Sequence, residues 1–165
     1  MTRSANEVMV LAGKAARGAG APPAQASEFG RAVVRHIHAG RDPSDISRAL
    51  EAVPNGPIMD FPIAFARVFE RGGDTPCGQV DASTWLPLAE SYADALPYAV
   101  QVDVVGEVLN ITVDLQCPAA KARLGRLTLP DALFDQMTTF AARILVPESD
   151  ASRLAGAGAG LTDND

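Results

Sequence analysis

From Tyr98 to Leu115 apolar and polar residues alternate, the pattern of a half-buried strand. The chain turns at Gly106-Glu107, a Gly-X pair suited to a two-residue type II′ turn. With the turn placed there, Val104 faces Leu109, Val102 faces Ile111, Val100 faces Val113 and Tyr98 faces Leu115. The other face pairs Asp103 with Asn110, Gln101 with Thr112 and Ala99 with Asp114. One face is apolar and the other nearly all polar, so a slip by one residue would bury the carboxylates. The pattern predicts an antiparallel hairpin of defined register.

Elsewhere the apolar spacing is helical. Ser4-Ala5-Asn6-Glu7 is a capping-box pattern, followed by Val8, Leu11, Ala12, Ala15 and Ala19, with Gly18 and Gly20 as the stop. Pro22-Pro23 opens a second helix, lined inward by Ala26, Phe29, Val33 and Ile37 and ended by Gly40. Asp42-Pro43 starts a third, with Ile46, Ala49, Leu50 and Val53 turned inward, broken at Pro54-Asn55-Gly56-Pro57. A fourth is predicted from Asp60 to Arg71; Ile63, Phe65, Val68 and Phe69 make it apolar on more than one side, as a central or interfacial helix is. The stretch from Gly72 to Ser83 reads as a loop with a short edge strand near Gln79-Val80. Trp85, Leu88, Ala89, Tyr92 and Leu96 then mark a fifth helix. A third strand over Ala122 to Leu129 is expected to complete a three-stranded antiparallel meander. Pro130-Asp131 opens a last helix with Leu133, Met137, Phe140, Ala141 and Ile144 as its stripe and Pro147 as its end. Helices first, then strands, then a helix argue for an α+β fold. It is read as one domain: a helical part over about 5–96, the meander over about 98–129, a helix over about 130–146 and a Gly-rich tail over 147–165.

At 165 residues and 47% hydrophobic, the chain can bury a core without staples. A net charge of −6, from 14 basic and 20 acidic residues, argues against nucleic acid as a partner. No helix joins the needed turn to a basic face, so a transcriptional regulator is disfavoured. No apolar run approaches the ~20 residues of a spanning helix, which disfavours a membrane partner. The start of the chain lacks the basic segment and apolar core of a secretory signal. A cytoplasmic location is therefore expected, with Cys77 and Cys117 both reduced.

Candidate chemistry is sparse. His36 and His38 fall about 200° apart around a helix axis, which suits surface or boundary histidines and not a shared metal. The cysteines have no zinc spacing, and no cofactor or catalytic constellation is signalled. Gln101, Asp103, Asn110, Thr112 and Asp114 form the polar hairpin face, read as a solvated sheet surface whose acids pair with Lys121, Arg123 and Arg126 on the next strand. The candidate binding residues are Arg17 and Arg153, each beside a glycine segment, with Gly156 and Gly158. If the two segments meet, arginine and backbone amides could hold an anion. The alternating Gly and Ala of the tail either stay solvated or let a backbone pack closely on this body or on a second subunit.

Ser4-Ala5-Asn6-Glu7, Lys14-Ala15-Ala16-Arg17-Gly18-Ala19-Gly20 and Gly30-Arg31-Ala32-Val33 resemble the start of a family of uncharacterised proteobacterial proteins, a domain-of-unknown-function family. Val146-Pro147 and the run from Ser152 to Asp165 resemble that family's terminus. Where that family often carries an aromatic after the first glycine turn, this chain has Pro22-Pro23. The resemblance implies a bacterial protein whose tail belongs to the fold, and it brings no reaction with it. The function expected is that of a binding or accessory subunit that self-associates. The alternative is a small-molecule enzyme or ligand-binding domain with an anion site between the first helix-turn and the tail.

Overall fold

The computed structural model describes residues 1–120 and 124–144. The chain enters through β1 (Thr2–Ser4) and α1 (Ala5–Ala19). The capping box forms as the residues require: the Glu7 amide donates to Ser4 Oγ at 3.2 Å, and the Ser4 amide donates to the Glu7 carboxylate at 2.8 Å. Gly18 proves not to be a stop. It lies inside α1 at the crossing with α6 (Asp131–Ala142), where a Cβ would overlap the Phe140 carbonyl. The stop is Gly20, with φ of 112°, the left-handed conformation that ends helices.

α2 (Pro23–His38) packs back on α1 at a second glycine contact: a Cβ on Gly30 would stand 2.6 Å from the Met9 carbonyl oxygen. With Ala12, Ala15 and Ala16 fully buried, small residues let these helices lie close. α3 (Ser44–Ala52) follows, and then α4 (Pro57–Phe69). α4 begins at Pro57 rather than Asp60 because a proline in the first turn forfeits no helical hydrogen bond. β2 (Cys77–Asp81), a 3₁₀ turn over Ser83–Trp85 and α5 (Leu86–Asp94) lead to the hairpin, β3 (Tyr98–Val105) and β4 (Val108–Pro118). β5 (Arg126–Thr128) and α6 complete the described chain.

The hairpin register is the one the alternation dictates: Val104 pairs with Leu109, Asp103 with Asn110, Val102 with Ile111 and Val100 with Val113. Gly106 has φ of 63° while Glu107 stays out of the positive region, as a type II′ turn asks. At the open end the register shifts, so that Tyr98 pairs with Pro118 and not with Leu115. Val104 is 38% exposed because it lies toward the tip of the hairpin, past the buried pairs.

The expected meander needs correction. The three-stranded antiparallel sheet exists, but its order is β2-β4-β3, and its third strand is Cys77–Asp81. β4 buries Leu109, Ile111 and Val113, and β2 offers the matching alternation with Gly78 and Val80 buried. The segment expected to supply the third strand instead gives β5, which pairs with β1 in a separate two-stranded sheet. Arg126 therefore does not reach the hairpin acids and donates to the Thr2 carbonyl. Lys121 and Arg123 lie outside the described residues, as do Pro147 and the whole tail.

Phe29, Ile46, Leu50, Ile58, Leu88, Leu109 and Ile111 are fully buried and join helices and sheet in one core. Among the described residues, no helix is long and apolar enough to cross a membrane.

Candidate ligand site

α4 is the element with conflicting local signals. Pro62 sits in its interior and removes the amide that would donate to the Ile58 carbonyl. Its side chains serve two masters. Phe61, Phe65 and Val68 are buried in the core, while Ile63 is 45% exposed. Beside it runs a groove of about 770 Å³. One wall is α4, through Pro62, Ile63, Phe65, Ala66 and Phe69. The other is α2, through Ala24, Gln25, Glu28 and Arg31. Tyr92 of α5 and the turn Leu96-Pro97-Tyr98 close it, with Leu115 of β4. Most of the lining is apolar and aromatic, and the charges of Glu28, Arg31, Arg67 and Glu70 complete it, which is the usual composition of a small-molecule site.

Tyr92 is the group that sets this groove apart. Its ring is fixed on two sides, edge-on to Phe61 at 5.6 Å and stacked on Phe65 at 6.2 Å. Only 4% of the residue is exposed, and its hydroxyl is buried with no hydrogen-bond partner among the described residues. Burial, and then the nearby Glu28 carboxylate, push its pKa well above the ordinary phenol value. The phenol therefore stays protonated and holds an unused donor. A buried polar group left unpaired costs about 1–3 kcal/mol, so this wall is chemically incomplete as it stands.

A second cleft of about 760 Å³ lies on the other side of α4, against β2 and the 3₁₀ turn. Some of its polar and aromatic groups are already engaged. Ser83 donates to Asp81 through both its amide and its hydroxyl, Arg71 donates to the Cys77 carbonyl, and the Arg48 guanidinium lies 4.5 Å from the Trp85 ring centre.

Arg17 stands exposed in the last turn of α1. It lines a shallow groove with Lys14, Arg31 and Ile144. Arg153, Gly156 and Gly158, the other candidate binding residues, lie outside the described residues. The two histidines divide as the helical spacing requires but not as surface residues: His38 is exposed, whereas His36 is fully buried. Its Nε2 donates to the Asp42 carbonyl at 2.8 Å, and its Nδ1 lies 3.0 Å from Ser91 Oγ. Arg41 donates to the same hydroxyl and to Asp94. Burial depresses the His36 pKa, against the raising effect of the Asp42 carbonyl and Asp45. A histidine within reach of a serine suggests a nucleophile and its base, but neither side chain is accessible, so the pair serves to tie α2 to α5. Cys77 and Cys117 are exposed free thiols. Among the described residues, no group of three or more His, Cys, Asp or Glu is placed to hold a metal ion.

Tyr92 and Pro62 were not distinguishable as site residues by pattern: one falls on an apolar helical stripe, the other inside an apolar run. The misplaced proline was the signal available. No protein-family model, no curated protein and no solved structure matches this chain.

Proposed function

We propose that this protein acts by binding, and that the groove between α2, α4 and α5 takes a small, largely apolar molecule with one hydrogen-bond acceptor. The observation that carries the reading is the buried, protonated hydroxyl of Tyr92, without a hydrogen-bond partner among the described residues, in a mostly apolar lining. An acceptor such as a ketone, ester or amide oxygen would satisfy it. The apolar body of the ligand would lie along Phe65, Phe69 and Ile63, with the charged groups left at the groove's margin.

The test uses two fluorescent probes, propionyl-dimethylaminonaphthalene and the same ring system without the ketone. The ketone is expected to bind the wild-type protein saturably. Tyr92→Phe keeps the ring and removes the donor, so it should weaken the ketone by at least about fivefold, the worth of one hydrogen bond of about 1 kcal/mol. The ketone-free probe should not notice the change. Ala66→Trp, which fills the groove from an exposed position, should abolish both. Equal ketone affinity in wild type and Tyr92→Phe, or no saturable binding at all, sinks the reading.

The anion-site alternative retains one support, the convergence of Lys14, Arg17 and Arg31 on a shared groove. Inorganic phosphate titrated against wild type and Arg17→Glu separates it: a charge reversal there should abolish any saturable phosphate binding.

A further inference from the structure

Independently of the groove, we infer that the edge of β3, open among the described residues, pairs with β3 of a second copy of this chain, antiparallel about a twofold axis at Val102. The three-stranded sheet has two edges, β2 and β3, and they differ. β2 is short, α4 packs against its Gly78, and Arg71 donates to the Cys77 carbonyl. β3 has eight residues with no proline and no lysine, and Asp103 is its single charge. Its one irregularity is at Tyr98/Ala99. Natural proteins ordinarily blunt an edge with proline, lysine or a bulge. This edge carries none of those along its outer half, and Val104 and Val105 are exposed there.

The hydrogen-bond parity of the sheet determines which groups are open. The amides of Val113 and Leu115 donate to the carbonyls of Pro76 and Asp74, so odd-numbered residues of β4 turn their backbone toward the β2 side. Even-numbered residues then serve β3, and their partners there are Ala99, Gln101, Asp103 and Val105. The backbone groups of Val100, Val102 and Val104 consequently face outward, because an antiparallel ladder alternates.

These groups are self-complementary in one register. With the axis at Val102, that residue exchanges both backbone hydrogen bonds with its own copy, and Val100 does so with the partner's Val104. Side chains match as well, because residues directly opposite share a face. Valine meets valine on the apolar face, and Asp103 lies opposite the partner's Gln101, whose amide can donate to it. Moving the axis to Asp103 would set two carboxylates against each other, which is destabilising. Moving it to Gln101 would draw in Tyr98, where the strand is already irregular. The occupant that fits this edge is therefore a second copy, and the sheets of the two copies join into one.

Sedimentation equilibrium of the full chain tests the association, and cross-linking tests the register. The wild type should be dimeric at about 100 µM, and Val104→Lys, a change at an exposed position, should weaken the dimer at least about tenfold with unchanged circular dichroism. In a Cys77→Ser, Cys117→Ser background, an equal mixture of Gln101→Cys and Asp103→Cys chains should oxidise to a disulfide-linked heterodimer, while either chain alone should not. Both positions are exposed, so folding is spared. A wild type that stays monomeric at that concentration, a dimer indifferent to Val104→Lys, or equal cross-linking in the single-variant controls would overturn the inference.

Discussion

Replacing Tyr92 by phenylalanine should stabilise the free protein. The ring itself is well held by Phe61 and Phe65, and those contacts survive the substitution. What disappears is one hydroxyl, buried and without a hydrogen-bond partner among the described residues. Such a group costs about 1–3 kcal/mol in lost hydration. Removing it leaves a void no larger than a methyl group, costing at most about 1 kcal/mol. The net expectation is a gain of about 1 kcal/mol, or roughly 2–4 °C in midpoint temperature for a chain of this size. Urea unfolding measures it directly: the midpoint should rise while the slope stays constant, since no extra surface is exposed. A loss of about 1 kcal/mol or more would refute the reasoning, because it would mean that the hydroxyl is already bonded in the free protein. The same variant should bind the ketone probe less well. A substitution that raises stability and lowers affinity marks a group retained for binding.

Acid should weaken the fold before its carboxylates titrate. Burial holds the His36 pKa below its ordinary value of 6.5, so the unfolded chain takes up that proton first as pH falls. The His36 contribution is thus fully present above pH 6.5 and falls below it, by at most about 1.4 kcal/mol per pH unit, until the folded state is protonated as well. Urea midpoints across this range should show the slope, and its absence would contradict a neutral buried imidazole. Gly18→Ala should cost about 3 kcal/mol or more, since its Cβ would overlap the Phe140 backbone; a neutral result in thermal unfolding would deny the close crossing of α1 and α6. Ser4→Ala removes the capping hydroxyl and should lower stability by about 1 kcal/mol, read from the same unfolding curves.

The hairpin was legible because the turn chemistry agrees with face polarity: Val100, Val102 and Val104 share a face with Leu109, Ile111 and Val113, and the other face is mostly polar. The helices were legible from their apolar spacing, with a capping box marking the start of α1 and prolines marking most of the others. The sheet's third strand was legible as a short edge strand near Gln79-Val80, but its pairing was not. Pairing between β2 and β4 depends on bringing Cys77–Asp81 alongside residues far along the chain, and nothing local distinguishes that short strand from Arg126–Thr128 as the partner. Gly18 was read as a stop because a glycine near a helix end usually is one; its actual role appears only when α6 is placed against it. His36 was read as a surface or boundary group because the bond from its Nε2 depends on a turn at Asp42, and its Nδ1 contact on a serine in another helix. Of the candidate site, Arg17 could be placed by sequence, but the phenol could not, since a tyrosine on an apolar stripe carries no mark of an unpaired hydroxyl.

Three of the departures from local rules share one groove. The Ser4 capping box, the glycine crossings and the buried His36 cluster are each satisfied, as a sequence specifying one fold requires. Pro62 inside a helix, Tyr92 with an unused donor and Ile63 exposed at 45% are not, and all three line one groove. Any one of them has an ordinary explanation as tolerated imperfection. Their coincidence on a single concave surface is the pattern that the proposed binding role would leave. The flanking walls bear on this too. α2 and α5 are tied by the His36–Ser91–Arg41 bonds on the side away from the groove lining, so the phenol is held on a braced wall. Pro62 places the missing helical bond in α4, the helix whose Phe61 and Phe65 hold the Tyr92 ring. On the proposed reading, the donor and the helix with the incomplete backbone ladder therefore belong to one wall.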